Sequence, residues 1–244
     1  YSKEQSKAFV THIKLFTLSK KMLSKVFNLG FPSALQMFFE VAIFTAAIWL
    51  SGVLGKNPQA ANQIALNLSS MTFMVAMGFG VAAMVRVGNQ KGLKRFDELR
   101  RIAFSIFLLS TILAVIFAIL FFIFHQSLPS LYLNYDNPIE ALDNLEVAST
   151  AATLLLIAAV FQISDTIQVV TLGALRGMQD VKLPTLITFV AYWVVGFPVM
   201  YYLGLHTSYS SAGIWIGLLA GLTVSGVLLS WRFHVLSKEL IASS

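Results

Sequence analysis

The sequence predicts an all-α, polytopic membrane protein built as a transmembrane six-helix bundle. Hydrophobic residues make up 57% of its 244 residues, charged residues make up 11%, and the mean hydropathy is +0.76. Soluble domains contain about 25% charged residues, so this composition indicates a lipid environment. Six apolar segments are each long enough to cross a bilayer, and basic residues alternate between the loops that join them. These three observations agree on one fold class.

Six predicted spans divide the chain. A helix needs roughly 20 predominantly apolar residues to cross the hydrocarbon core. The segments that satisfy this length are residues 31–54, 60–85, 102–124, 147–175, 184–205 and 212–231. Membrane strands are shorter and alternate in polarity, so these segments are predicted to be helices. We therefore expect a basic cytoplasmic helix or linker at 1–29, the six-helix body at 30–232 and a cytoplasmic tail at 233–244.

Lysine and arginine residues mark one side of the predicted membrane. Of the 17 basic residues, all but Lys56 lie before the first span, in alternate loops or in the tail. The positive-inside rule therefore predicts that both ends of this segment are cytoplasmic, in a multi-pass protein of the plasma (cell inner) membrane. A nucleic-acid-binding face would not follow this alternation, so we expect no nucleic-acid partner.

The cysteine count and the first residue narrow the possibilities further. The sequence contains no cysteine, which excludes disulfides, thiolate nucleophiles and cysteine-ligated metal sites within it. The chain opens on Tyr1 without a signal-peptide pattern, and we expect it to be a segment of a longer protein.

Two acidic residues, Glu40 and Asp165, lie inside the predicted spans. A charge at mid-membrane costs about 2.5 kcal/mol or more, so such residues usually face a cavity that handles ions or substrates. Glu40 lies nine residues into the first span, and Asp165 lies nine residues before Ala174 on a helix that runs the other way. Both are therefore expected roughly 14 Å from the cytoplasmic end, in one layer near the midplane.

Polar side chains accompany the two acids at helical spacing. Buried amides need hydrogen-bond partners, so these stripes are expected to face the bundle and line a cavity between the first, second and fourth spans. Phe161 is expected to add apolar contact for lipophilic cations. The cavity-lining candidates are Gln36, Gln63, Asn67, Phe161, Gln162 and Gln168.

The carboxylate pair suggests a coupled transporter. Removal from water favours the protonated form of a carboxyl group, and a second carboxylate nearby strengthens that preference. Such a pair can bind a proton or a small cation and release it when its exposure changes, which suits an antiporter for organic cations. The alternative is that Glu40 and Asp165 are structural, each hydrogen-bonded to a neighbouring helix.

Several motifs resemble the C-terminal six-helix lobe of the multidrug and toxic compound extrusion (MATE) transporters, over most of the chain. The matching residues are Gly30-Phe31-Pro32 with Glu40, Gly52 and Gly55; Ala60-Ala61-Asn62-Gln63-Ile64; Arg86-Val87-Gly88 and Gly92; and Asp165, Gly173-Ala174-Leu175-Arg176-Gly177, Asp180 and Pro184.

This resemblance implies a secondary active antiporter that exports organic cations and drugs in exchange for Na⁺ or H⁺. It implies a two-lobe protein in the bilayer, with an N-terminal six-helix lobe as the missing partner and no cofactor besides the coupling ion. Glu40 and Asp165 then serve cation or substrate coupling, with Na⁺ as a possible ligand. Where some members place a tyrosine one turn before the Asp, this chain has Phe161, which removes a possible oxygen ligand.

Two other functions remain as alternatives. A lipid-linked precursor flippase of the same superfamily tends to line its cavity with cations, and this chain has no lysine or arginine inside its predicted spans. An intramembrane enzyme could use two facing acids, but no His-Glu-x-x-His or Gly-x-Gly-Asp pattern is present. We therefore expect a transporter with no catalytic residues.

Small residues in the last two spans predict close helix packing. Gly213, Gly217 and Gly221 recur every fourth residue, as in small-xxx-small interfaces. Gly196 and Pro198 are expected to interrupt or kink the fifth span.

Overall fold

A computed structural model describes residues 19–134 and 141–243. Its helices are α1 (Lys20–Leu54), α2 (Lys56–Gly92), α3 (Phe96–Phe124), α4 (Ala141–Gly177), α5 (Lys182–Phe189), α6 (Phe197–Leu205) and α7 (Ser210–Ala242). A short 3₁₀ turn, Pro129–Leu131, follows α3. No strand occurs among the described residues. In this described part of the chain, six stretches are long and apolar enough to span a membrane, with α5 and α6 together forming the fifth, Lys182–Leu205.

The fifth span is continuous in space but changes its winding midway. Val190–Gly196 forms a π-helical segment between α5 and α6. Each π turn accommodates an extra residue and rotates the side chains that follow it, and such turns are frequent at functional sites. The interruption expected near Gly196 and Pro198 therefore takes the form of a change from α-helix to π-helix and back to α-helix.

Helix α4 is the centre of the bundle. It packs against α2, α3 and α7, while α1 packs mainly against the fifth span and also against α2 and α7. The α2–α4 crossing is close because glycines meet there: a Cβ added to Gly177 would lie 2.5 Å from the Met84 carbonyl oxygen, and one added to Gly173 would overlap the Gly80 carbonyl. Small residues at such crossings let backbones approach and increase van der Waals contact.

The predicted glycine ridge of the last span is confirmed. A Cβ on Gly213 would overlap the Leu203 carbonyl, one on Gly217 would overlap the Met200 backbone, and one on Gly221 would lie 3.1 Å from the Ala191 carbonyl oxygen. The ridge therefore seats α7 directly against the fifth span.

Several helices extend beyond the predicted spans. Helix α1 begins at Lys20 rather than near residue 31, α4 begins at Ala141, and α7 continues to Ala242 through the segment expected to be a tail. Hydropathy marks only the lipid-embedded part of a helix, and the backbone hydrogen bonds continue into the polar region beyond it. Residues 1–18 of the predicted basic segment lie outside the described residues.

Two apolar cores lie at opposite ends of the bundle. One contains Leu50, Leu154 and Trp215, and the other contains Leu99, Leu175 and Phe233. Along α4 the first core ends at Phe161 and the second begins at Val170. A polar layer therefore separates the two cores at the depth where the sequence placed the acids.

Candidate functional site

The polar layer brings together predicted site residues from α1 and α4. Asp165 is 3% exposed, Glu40 is partly buried, and the two carboxylates are close enough to interact electrostatically. The predicted amides Gln36, Gln162 and Gln168 are buried in the same region of the bundle. The sequence-based expectation that both acids share one layer is therefore consistent with their placement in three dimensions.

An arginine also reaches this layer. The Arg176 guanidinium donates through Nη2 to Gln36 Oε1 at 3.2 Å and interacts electrostatically with Glu40. The site residues predicted from the sequence did not include Arg176. It lies eleven residues, or about three helical turns, after Asp165, so the two side chains share one face of α4. Arg176 supplies a positive charge that partly compensates Glu40.

A tyrosine from the π-helical segment completes the layer. Tyr192 is 1% exposed, and its hydroxyl donates to Gln168 Oε1 at 2.7 Å. Its phenol lies within electrostatic range of Glu40 and Asp165. Tyr192 was not among the predicted site residues. The sequence does not show which side chains of the fifth span point toward the bundle, because the π-helical segment rotates them away from the directions of a regular α-helix.

Several buried polar atoms in the layer have no hydrogen-bond partner among the described residues. They are Gln36 Nε2, Glu40 Oε1, Gln162 Nε2 and Oε1, Asp165 Oδ1, Gln168 Nε2 and Arg176 Nε. Buried polar groups are normally hydrogen-bonded, and unsatisfied ones indicate water, an ion or a functional role. The concentration of such atoms around two carboxylates points to an ion-binding or proton-binding site.

The available ligands are oxygen atoms of carboxylates, amides and a phenol. Oxygen ligands suit hard cations, and the carboxylates can also bind a proton. Within residues 19–134 and 141–243, no three or more His, Asp or Glu side chains are grouped so that they could hold a metal ion. The chemistry of these ligands therefore fits reversible binding of a proton or a hard cation.

Gln63 and Asn67 differ from expectation. Both are exposed on α2, where Gln63 Nε2 donates to Asn67 Oδ1 at 3.2 Å. The expectation that this stripe faces the interior of the six-helix bundle is wrong, because small residues such as Ala61 and Ala65 occupy the inward face of α2. The amides can line a cavity only if another part of the protein covers this surface.

Phe161 is buried within the apolar core. Its ring lies 5.4 Å from Trp215 and 6.0 Å from Phe44, and 3% of the residue is exposed. Trp215 is itself held by a 2.9 Å hydrogen bond from Nε1 to Asn62 Oδ1. Phe161 therefore forms the apolar boundary of the polar layer, directly above Asp165 on α4.

Comparison with known proteins gives a consistent result. A family model described as MatE matches residues 32–202. The chain is 39% identical over 222 residues to the multidrug resistance protein NorM of Burkholderia vietnamiensis, covering 91% of this chain and 47% of that protein. It is 36% identical over 222 residues to the multidrug resistance protein MdtK of Proteus mirabilis, covering 89% and 46%. The chain thus spans about half the length of the curated relatives it matches.

Solved structures share the fold. A eukaryotic MATE transporter, AtDTX14, superimposes with a TM-score of 0.77 at 21% identity, over 92% of this chain and 50% of that one. An outward-facing multidrug resistance MATE transporter gives a TM-score of 0.80 at 15% identity, over 94% and 50%. The chain therefore belongs to the MatE family of multidrug and toxic compound extrusion transporters and has the fold of one of their lobes.

Proposed function

We propose that the full-length protein is a secondary active antiporter that exports organic cations and drugs in exchange for Na⁺ or H⁺. The observation that carries this proposal is the proximity of Glu40 and Asp165 in a buried layer where several polar atoms have no hydrogen-bond partner in the described part of the chain. A structural pair would be expected to have its oxygen atoms hydrogen-bonded to neighbouring helices. An unpaired oxygen on each acid instead leaves both free to bind an exchangeable ion.

The proposed coupling needs a cavity that changes its exposure. We propose that a second six-helix lobe covers the exposed Gln63 and Asn67 face of α2, so that these amides line a central cavity between lobes. A charged or polar surface inside the bilayer is expected to face protein or water rather than lipid. This chain would then supply the coupling acids, and transport would require both lobes.

Export of a lipid-linked precursor is the second candidate. Arg176 favours it, because a cation in the polar layer can meet an anionic phosphate. However, Arg176 interacts with Gln36 and with the oppositely charged Glu40, so its charge is already partly compensated. The acid pair therefore favours cationic substrates as the first candidate.

The test measures ethidium efflux from cells that express the full-length protein, with and without a Na⁺ gradient. Glu40→Gln and Asp165→Asn are compared with wild type at matched expression. We expect each substitution to slow efflux about fivefold or more, because a fivefold effect corresponds to the lower end of typical coupling free energies between two sites. Dependence of wild-type efflux on the Na⁺ gradient would identify the coupling ion.

Matched controls are available on α3. Glu98→Gln and Asp97→Asn make the same chemical changes at exposed positions in the first turn of that helix. These controls should transport like wild type. Wild-type efflux rates in both the Glu40→Gln and the Asp165→Asn variants would indicate that the two acids have a structural role. That result would refute the proposed coupling site.

A further inference from the structure

A crevice of about 400 Å³ lies between α3 and α7, apart from the polar layer. Its walls include Phe104, Phe107 and Leu108 from α3 and Phe233 from α7. Both helices pack against α4, which leaves a gap between them. Phe104 is 47% exposed and Leu108 is 65% exposed, so the crevice opens toward the outside of the bundle.

Aromatic rings form the inner wall of the crevice. The Phe107 and Phe233 ring centroids lie 5.2 Å apart in an edge-to-face arrangement, and those of Phe104 and Phe233 lie 6.5 Å apart. Thr111, which also lines the crevice, follows Arg100 by eleven residues, or about 16 Å along the helix. The apolar surface therefore runs from a charged end of α3 well into the depth of the membrane.

A cationic cluster lies at the charged end of this crevice. The Arg100 guanidinium sits 5.5 Å from the centroid of the Phe104 ring, and its Nη2 lies 3.3 Å from His234 Nδ1. Arg100 and Lys238 both act electrostatically on His234. Over the described ranges the salt bridges are Lys56–Asp143 and Arg232–Asp180, so neither Arg100 nor Lys238 has a carboxylate within 4.0 Å there.

We propose that this crevice binds an anionic phospholipid. The phosphate would contact Arg100, His234 and Lys238, and one acyl chain would lie along Phe104, Phe107 and Leu108. Basic pockets between transmembrane helices bind anionic headgroups, and the positive charge predicts that this end of the bundle is cytoplasmic. Free phosphate would use only the cationic end, whereas a diacyl lipid uses the charged end and the apolar wall together.

The test measures lipid bound to the purified, delipidated full-length protein by native mass spectrometry. Phosphatidylglycerol and phosphatidylcholine with identical acyl chains are titrated in parallel. Wild type should prefer phosphatidylglycerol, because each basic residue near an anionic headgroup contributes about fivefold. The double variant Arg100→Gln with Lys238→Gln should lose most of this preference, and Leu108→Trp, which fills the crevice, should weaken binding of both lipids.

The matched control removes the same charge outside the crevice. Arg101→Gln with Lys94→Gln alters two exposed basic residues near the same end of the bundle and should retain the preference. Equal losses in the two double variants would show general surface attraction and overturn the proposal. An unchanged preference in the Arg100 and Lys238 variant would overturn it as well.

Two further outcomes also count against the proposal. Displacement of the lipid by inorganic phosphate at comparable concentration would show a phosphate site without a role for the acyl chain. Insensitivity of binding to Leu108→Trp would show that the crevice is unused, as expected if another part of the protein covers it. None of these measurements depends on transport, so the result stands apart from the proposed efflux activity.

Discussion

At the scale of single residues, the polar layer depends on a short series of contacts. Arg176 donates a hydrogen bond to Gln36, and Tyr192 donates one to Gln168, so α4 contributes one partner to each bond while α1 and the fifth span contribute the others. Hydrogen bonds in a low-dielectric interior are strong, and their loss leaves a buried group unsatisfied. Gln168 is fully buried, and its Oε1 accepts the hydrogen bond of the Tyr192 hydroxyl.

Tyr192→Phe should therefore weaken both the fold and the site. Loss of the hydroxyl leaves Gln168 Oε1 buried without its donor, which costs about 1–3 kcal/mol. We expect a lower thermal unfolding midpoint for the purified full-length protein and slower ethidium efflux at matched expression. Tyr202→Phe removes a hydroxyl from an exposed position on α6 and serves as the control. Equal behaviour of the two variants would contradict a role for Tyr192 in holding Gln168.

At the scale of the helices, backbone proximity decides the packing. Helices α2 and α4 meet at Gly80, Gly173 and Gly177, and α7 meets the fifth span through its glycine ridge. In lipid, helix association relies on van der Waals contact and interhelical hydrogen bonds rather than on the hydrophobic effect. These glycines therefore position α4, and with it Asp165, relative to its neighbours.

Gly173→Ala should destabilise the α2–α4 crossing. Its Cβ would overlap the Gly80 carbonyl, and since this neighbour is backbone, the helices must separate. Overpacking of this kind costs about 1–3 kcal/mol. Thermal unfolding of the purified full-length protein measures the effect. Gly78→Ala is the control because, among the described residues, its added Cβ would meet nothing within 4 Å beyond its chain neighbours and its own helical backbone. A Gly173→Ala variant as stable as Gly78→Ala would argue against tight packing at this crossing.

At the scale of the whole molecule, the chain spans about half the length of its curated relatives. The proposed orientation places both ends of the segment, with most of the basic residues, in the cytoplasm. The exposed amides of α2 and the crevice between α3 and α7 are separate surfaces, formed by different helices. We therefore propose different neighbours for them: the second lobe for the amides and a bilayer lipid for the crevice.

Single cysteines can test this orientation because the chain itself contains none. In a cysteine-free full-length background, Gln126→Cys follows α3 on the side predicted to be external, and Lys94→Cys precedes α3 on the cytoplasmic side. A membrane-impermeant maleimide should label Gln126→Cys in intact cells and Lys94→Cys only after permeabilisation. The reverse labelling pattern would show that the segment has the opposite orientation in the membrane and would contradict the proposed topology.

Much of the fold was predictable because the bilayer restricts the choices. Span length, low charge and alternating basic loops identify six helices, and the cost of a buried charge singles out Glu40 and Asp165. Arg176 could have been added from its spacing to Asp165 on α4. Tyr192 could not, because its direction depends on the π-helical segment, which no periodic pattern in the sequence specifies.

The sequence by itself thus determined the fold class, the number of spans and the two acids, because these depend on composition and on distance along one chain. Only the tertiary structure decided which side chains meet. It buried Gln168 against Tyr192, brought Arg176 to Gln36, and left Gln63 and Asn67 on the surface. The physical reason is that contacts between helices depend on how the helices cross. In this protein, close glycine contacts and a local change in helix winding set that crossing geometry.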